Sequence, residues 1–156
     1  MSATEARYGR RQLRSDDRFT PPVKYEEACM TQGLHEDNAI DLGPHGGERI
    51  DVVAIADGEV LMTCYGVPDY VQTTECGLCG NYIEMKNAAG VVKYCHLTDG
   101  TLLVKKGDKV TKGQKVAQMG TSGHSTGVHL HVALTDNDGK GADLRKNCQL
   151  DGWKLC

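Results

Sequence analysis

Thr121-Ser122-Gly123-His124-Ser125-Thr126-Gly127-Val128-His129-Leu130-His131 is the stretch that decides how this chain reads. Val128–Leu134 has the composition of a β-strand, and a Gly/Ser/Thr turn leads into it. Side chains two apart on a strand point to one face, so His129 and His131 emerge together. That period of two recurs outward from the stretch. Val116–Met119 is a short strand, and Lys105-Lys106-Gly107-Asp108 is a turn. Asn81–Lys86 and Val91–Leu97 form a pair joined through Asn87-Ala88-Ala89-Gly90. Ile50–Ala56 and Glu59–Tyr65 are apolar-rich, and Asp57-Gly58 between them predicts a hairpin. Residues 66–79, with Pro68, read as an irregular insertion, and residues 21–34 as a lead-in opened by Pro21-Pro22. No segment sustains a 3.6-residue period over more than three turns. The expected fold is therefore all-β: antiparallel sheets in a sandwich-like or barrel-like arrangement with little helix.

A chain of 156 residues suits one domain with a real core. Only 5% of it is aromatic, so that core must rest on Val, Ile, Leu and Ala. The 19 glycines fit many tight turns between short strands. A net charge of −3 argues against nucleic acid as a partner. No transmembrane run is seen, and residues 1–20 lack the apolar stretch expected of a signal peptide. Those residues instead carry Arg7, Arg10, Arg11, Arg14 and Arg18. They read as a flexible basic arm, with docking to an acidic partner as the sharper alternative. Residues 21–156 form the single domain.

The seven cysteines are many for a cytosolic enzyme and predict disulfides, with one left over. Cys76-Gly77-Leu78-Cys79 has the spacing of a zinc knuckle or redox pair. With no second such pair in the chain, a disulfide-stapled loop involving Cys64 is the favoured reading.

Three segments carry metal-site chemistry. The first is His129-Leu130-His131. The second is Tyr94-Cys95-His96-Leu97 at a strand end. The third is Leu34-His35-Glu36-Asp37-Asn38-Ala39-Ile40-Asp41-Leu42, where His35, Asp37 and Asp41 share one parity in an extended chain. Together they supply His, Asp and His, a set that holds zinc and leaves a position open for water. The remaining histidines can carry protons near neutrality. His45, in a Gly/Pro loop, reads as a surface histidine, and His124 occupies the turn without a catalytic role. Tyr94 is either a packed core residue or a hydrogen-bond donor to a developing oxyanion.

In these motifs the sequence resembles the lysostaphin-like zinc metalloendopeptidases, which cut peptide bonds in bacterial cell-wall peptidoglycan. Ser125-Thr126-Gly127-Val128-His129-Leu130-His131 is similar to the family's Ser-Thr-Gly-Pro-His-Leu-His, with Val128 in place of proline. Tyr94-Cys95-His96-Leu97 resembles its Tyr-x-His-Leu. Val52–Val60 resembles a strand–turn–strand that follows its first ligands. Val104–Gln114 resembles its Val-x-x-Gly-Asp-x-Val-x-x-Gly-Gln. The resemblance covers about residues 34–135 and implies an open substrate groove. It implies that Asp41 and His131 bind zinc and that His96 and His129 are catalytic. It also implies peptidoglycan peptide stems or crosslinks as substrate, at an extracytoplasmic site: secreted, periplasmic or virion-associated.

Two positions depart from the pattern. The family's first zinc ligand lies four residues before the aspartate, where this chain has Asp37. Either His35 serves instead, with two extra residues bulging out before Asp41, or Asp37 itself ligates. Ala133 stands where the family usually has an acid. A catalytically impaired wall-binding or regulatory module of the same fold is the alternative reading. A biotinyl-type carrier, suggested by Met85-Lys86, leaves the histidines unexplained.

Overall fold

The computed structural model describes residues 19–36, 38–148, 150 and 153–156. The basic arm, with Arg7 to Arg18, and Asp37 lie outside the described residues. After a 3-10 turn at Tyr25–Glu27 the strands follow in order. They are β1 (Ala28–His35), β2 (Ala39–Pro44), β3 (Asp51–Val53), β4 (Gly58–Cys64), β5 (Asn81–Asn87), β6 (Gly90–Leu97), β7 (Lys109–Val110), β8 (Lys115–Gln118), β9 (Leu130–Asp136) and β10 (Gly141–Ala142). Among the described residues one short helix, α1 (Leu144–Asn147), follows β10. The large sheet runs β1-β2-β9-β6-β5-β4-β7 with β10 beside β9, and β3 pairs with β8 in a second sheet. Every strand pair is antiparallel. The large sheet is open, with β1 and β7 at its edges, as the expected all-β class requires. Among the described residues no helix is long and apolar enough to cross a membrane.

Alternation divides the large sheet into two faces. Ile40 and Leu42 on β2, Leu130, Val132 and Leu134 on β9, Val92 and Tyr94 on β6, and Ile83 and Met85 on β5 are buried. They pack with Val52, Ala54 and Ile55 around β3 and with Val116 and Ala117 of β8. Each such aliphatic side chain contributes about 1.5–3 kcal/mol by leaving water. Phe19 and Val23 join the same cluster ahead of the first strand. Asp41, Lys93, His131 and Ala133 lie between these positions and are only partly buried. One row of that second face is set by register alone: Gln32 opposite Asp41, Asp41 opposite His131, His131 opposite Cys95.

The Asn81–Leu97 hairpin forms where expected, closing at the Asn87–Gly90 pair. Gly90 is required there: it has φ 146°, and a Cβ would lie 2.0 Å from the Thr135 carbonyl oxygen. The turn at 105–108 also forms, with Asp108 N–H donating to the Lys105 carbonyl at 3.0 Å. Two expectations need correction. Asp57-Gly58 does not close a hairpin, because β3 pairs with β8 while β4 pairs with β5 and β7. The lead-in at 21–34 contains most of an edge strand, held through Cys29 Gly43 and Met30 Leu42 pairings.

The cysteines pair as Cys29–Cys156, Cys64–Cys76 and Cys79–Cys95, leaving Cys148 free and buried. Cys64 thus staples the insertion, as expected. Cys76 and Cys79 take different partners, so their spacing serves neither a zinc knuckle nor a redox pair. The insertion is further fixed by Asn81, which is fully buried. Its amide accepts from Val67 N–H and donates to the Val67 and Leu97 carbonyls, each at 2.9 Å. Arg49 adds a paired-nitrogen grip on Asp69 at 3.0 and 2.9 Å.

Candidate metal centre

Three strands deliver three ligand-type side chains to one point. His35 ends β1, Asp41 lies in β2 and His131 in β9. The route from His35 to Asp41 is a tight hairpin rather than an extended segment with a bulge before Asp41. His35 pairs with Ala39, and the turn between them holds Glu36 and Asn38 at φ 35° and 68°. Asparagine tolerates that left-handed conformation better than most residues. The register irregularities lie earlier on β1, between Met30 and Gln32 and between Gln32 and His35.

The ligand atoms of His35, Asp41 and His131 all lie within 4.8 Å of one another. His35 Nε2 is 3.4 Å and His131 Nδ1 2.9 Å from Asp41 Oδ1. Donors on a tetrahedral zinc at bond lengths of about 2.0–2.1 Å are about 3.3 Å apart, so the two separations from Asp41 suit the ion, and the His35–His131 pair lies within 4.8 Å. His35 Nδ1 donates to the Gly33 carbonyl at 2.7 Å, which leaves Nε2 as its electron-pair donor. Burial works to raise the Asp41 pKa, but the His131 hydrogen bond and the nearby imidazoles outweigh it and hold the carboxyl below its ordinary value. An ionised carboxylate is the form that binds a cation.

His96 and His129 flank this cluster. Their rings are 4.7 Å apart, and His96 is 6.0 Å from the His131 ring. His129 precedes β9, and its N–H donates to the Gly120 carbonyl at 3.2 Å. His129 Nδ1 donates to the Gly127 carbonyl at 2.9 Å, leaving Nε2 toward Asp41 Oδ2 at 3.9 Å. His96 Nδ1 donates to the Ser122 carbonyl at 2.8 Å. Because a carbonyl only accepts, both rings carry their proton on Nδ1 and offer Nε2. Burial is the main cause pushing the His96 pKa down to about 4, aided by its imidazole neighbours and opposed by the Ser122 bond. His96 is therefore neutral at pH 7. Its backbone has φ 64°, a conformation that costs a non-glycine residue on the order of 1–3 kcal/mol and persists only when surroundings enforce it.

These residues line a cavity of about 310 Å³ with Gln32, Glu36, Leu78, Cys79, Cys95 and His124. A second cavity of about 270 Å³ shares Gln32, Asp41 and His129 with the first and runs past Thr31 and Thr126. The two adjoin at those shared residues and make an open groove. His45 is exposed and does not line it, whereas His124 lies on its wall within 3.5 Å of Gln72. Tyr94 is fully buried on the opposite face of the sheet, where its hydroxyl accepts from Ile55 N–H at 3.0 Å. It does not reach the groove. Ala133 sits opposite Lys93. Sequence reasoning missed Ser122 and Cys79. Ser122 precedes the histidine motif, yet only its burial and its carbonyl bond mark its part in orienting His96.

An open antiparallel sheet with a His/Asp/His cluster in a groove defines a metallohydrolase-type centre. The chain belongs to Peptidase family M23, whose sequence profile matches residues 35–143. An uncharacterized metalloprotease of Buchnera aphidicola subsp. Baizongia pistaciae is 36% identical over 119 residues, 76% of this chain and 26% of the relative. Peptidoglycan DD-endopeptidase ShyA of Vibrio cholerae is 38% identical over 65 residues, 41% of this chain and 15% of that protein. The chain thus spans about a quarter or less of the length of these relatives. Among solved structures, a zinc containing peptidase from Vibrio cholerae superposes with TM-score 0.62 at 25% identity, over 80% of this chain and 38% of that one.

Proposed function

We propose that this chain is a zinc-dependent endopeptidase that hydrolyses peptide bonds in bacterial peptidoglycan. The observation that carries the reading is the convergence of three ligand atoms within 4.8 Å beside two histidines that offer Nε2 to the same groove. His35 Nε2, Asp41 and His131 Nδ1 would hold zinc. Bound zinc lowers the pKa of a coordinated water to about 7 and polarises a carbonyl. The groove binds the peptide in extended form across the cluster. His96 and His129 face the reacting carbon from one side, where Nε2 of one accepts a proton and passes it to the leaving amine. Once protonated, the other holds the developing oxyanion by hydrogen bonding. Peptide stems or crosslinks of the wall are the proposed substrate, and the proposed site of action is therefore outside the cytoplasm. The names of relatives such as ShyA support that choice.

The test is release of peptides from purified sacculi, followed by chromatography and mass spectrometry. A chelator should abolish release and added zinc should restore it. His35→Ala should lose stoichiometric zinc and lower the rate on the order of 100-fold or more, while Asp37→Ala should keep both. An unchanged rate after rigorous metal removal would sink the mechanism. Wall binding without cleavage, in protein that contains zinc, would instead favour a regulatory module.

A further inference from the structure

We infer that the Cys79–Cys95 disulfide is a positioning clamp for His96. The inference rests on the reading of His96 as a group flanking the reacting centre. His96 follows Cys95 directly, and its N–H donates back to the Cys79 carbonyl at 2.7 Å. The disulfide and that hydrogen bond close a small ring whose members are Cys79, Cys95 and the His96 amide. This ring fixes the backbone at φ 64°, so the imidazole turns into the groove instead of continuing the strand alternation.

The same segment fixes the other end of the side chain. Asn81 N–H donates to Ser122 Oγ at 3.0 Å, and His124 N–H to the Leu78 carbonyl at 2.9 Å. Residues 78–81 therefore hold Ser122, whose carbonyl accepts a hydrogen bond from His96 Nδ1 at 2.8 Å. Gly80 and Gly123 let the two segments touch: a Cβ on Gly123 would lie 2.4 Å from Gly80 N. Cys79 is thus linked to His96 by both routes, through the amide and through the ring. Cys64–Cys76 staples the same insertion, but among the residues lining the groove neither of its cysteines appears. It supplies the control.

The experiment compares Cys79→Ser/Cys95→Ser and the space-filling Cys79→Ala/Cys95→Val with Cys64→Ser/Cys76→Ser. Zinc content, kcat and KM on a soluble wall peptide, and the His96 ring nitrogens by 15N NMR of the metal-free protein are measured. In the wild type His96 should show one tautomer, with the proton on Nδ1. In either clamp variant it should show mixed tautomers, and kcat should fall about 10–100-fold while zinc content and KM hold. The control variant should change none of these. Folded clamp variants with a single tautomer and kcat within about twofold of wild type would overturn the inference. So would failure of both to fold, which would assign the bond to stability alone. Mixed tautomers in the clamp variants, together with wild-type protein that hydrolyses nothing, would uphold the clamp and reject the enzymatic reading.

Discussion

Replacing Tyr94 by Phe separates the two roles this residue could have had. Its hydroxyl lies on the core face and accepts the Ile55 N–H at 3.0 Å. Both residues are fully buried. Burial drives the phenol pKa upward, so the group stays neutral throughout the working range. Phenylalanine keeps the ring and removes only the oxygen. The Ile55 N–H then loses its side-chain acceptor in a dry interior, at a cost of about 1–3 kcal/mol. At about 2 kcal/mol the Tm of a domain this size falls by about 6 °C. The rate should not change, because the ring lies on the far side of the sheet from the Asp41–His131 row. Thermal melts and kcat on a wall peptide, taken on one preparation, test both halves. An unchanged Tm with kcat down tenfold or more would refute the reasoning and return the phenol to the reacting centre.

Two further outcomes follow from the same geometry. In metal-stripped protein the His96 pKa of about 4 lies below the ordinary 6.5, so the unfolded chain binds more protons between those values. Stability should fall as pH drops from about 6.5 to about 4, by up to about 3 kcal/mol, and His96→Gln should flatten that slope in urea titrations. The depressed Asp41 carboxyl acts in a different window, its contribution being lost as pH falls below its ordinary value of 3.8. Removing Cys29–Cys156, whose sequence separation is 127, should lower unfolding free energy by about 5 kcal/mol through loop-closure entropy. An unmoved urea midpoint in Cys29→Ala/Cys156→Ala would contradict that.

The parts legible in the sequence were those governed by short spacing. His129 and His131 reach one groove because strand side chains repeat every two residues. The Asn81–Leu97 hairpin was visible from its alternation and its closing glycine. Pairing between distant segments was not legible. Asp57-Gly58 looks like a hairpin because a turn dipeptide separates two apolar runs, yet each run has better partners elsewhere. Disulfide connectivity was legible only in part: a stapled loop involving Cys64 was expected, but the close spacing of Cys76 and Cys79 says nothing about Cys95 across the sheet. At the site, parity suggested His35 and Asp41 on one extended segment. The fold brings them together across a hairpin, because the chain reverses so that His35 pairs with Ala39. The left-handed backbone of His96 had no signal at all. It depends on a carbonyl some seventeen residues earlier, at Cys79, and histidine carries only a mild preference for that conformation.

Cys29–Cys156 has a consequence for survival among proteases. The bond joins the first strand to the last described residue, so almost the whole domain lies inside one covalent loop. Exposed tips such as Asp99-Gly100 and Lys105-Lys106 are where cleavage falls most readily. A cut at either opens the loop without releasing a fragment. The two pieces stay joined at Cys29–Cys156, and Cys79–Cys95 and Cys64–Cys76 lie together on one side of both tips. Such a nicked domain can keep its sheet pairings and its groove, and its damage would be visible only after reduction.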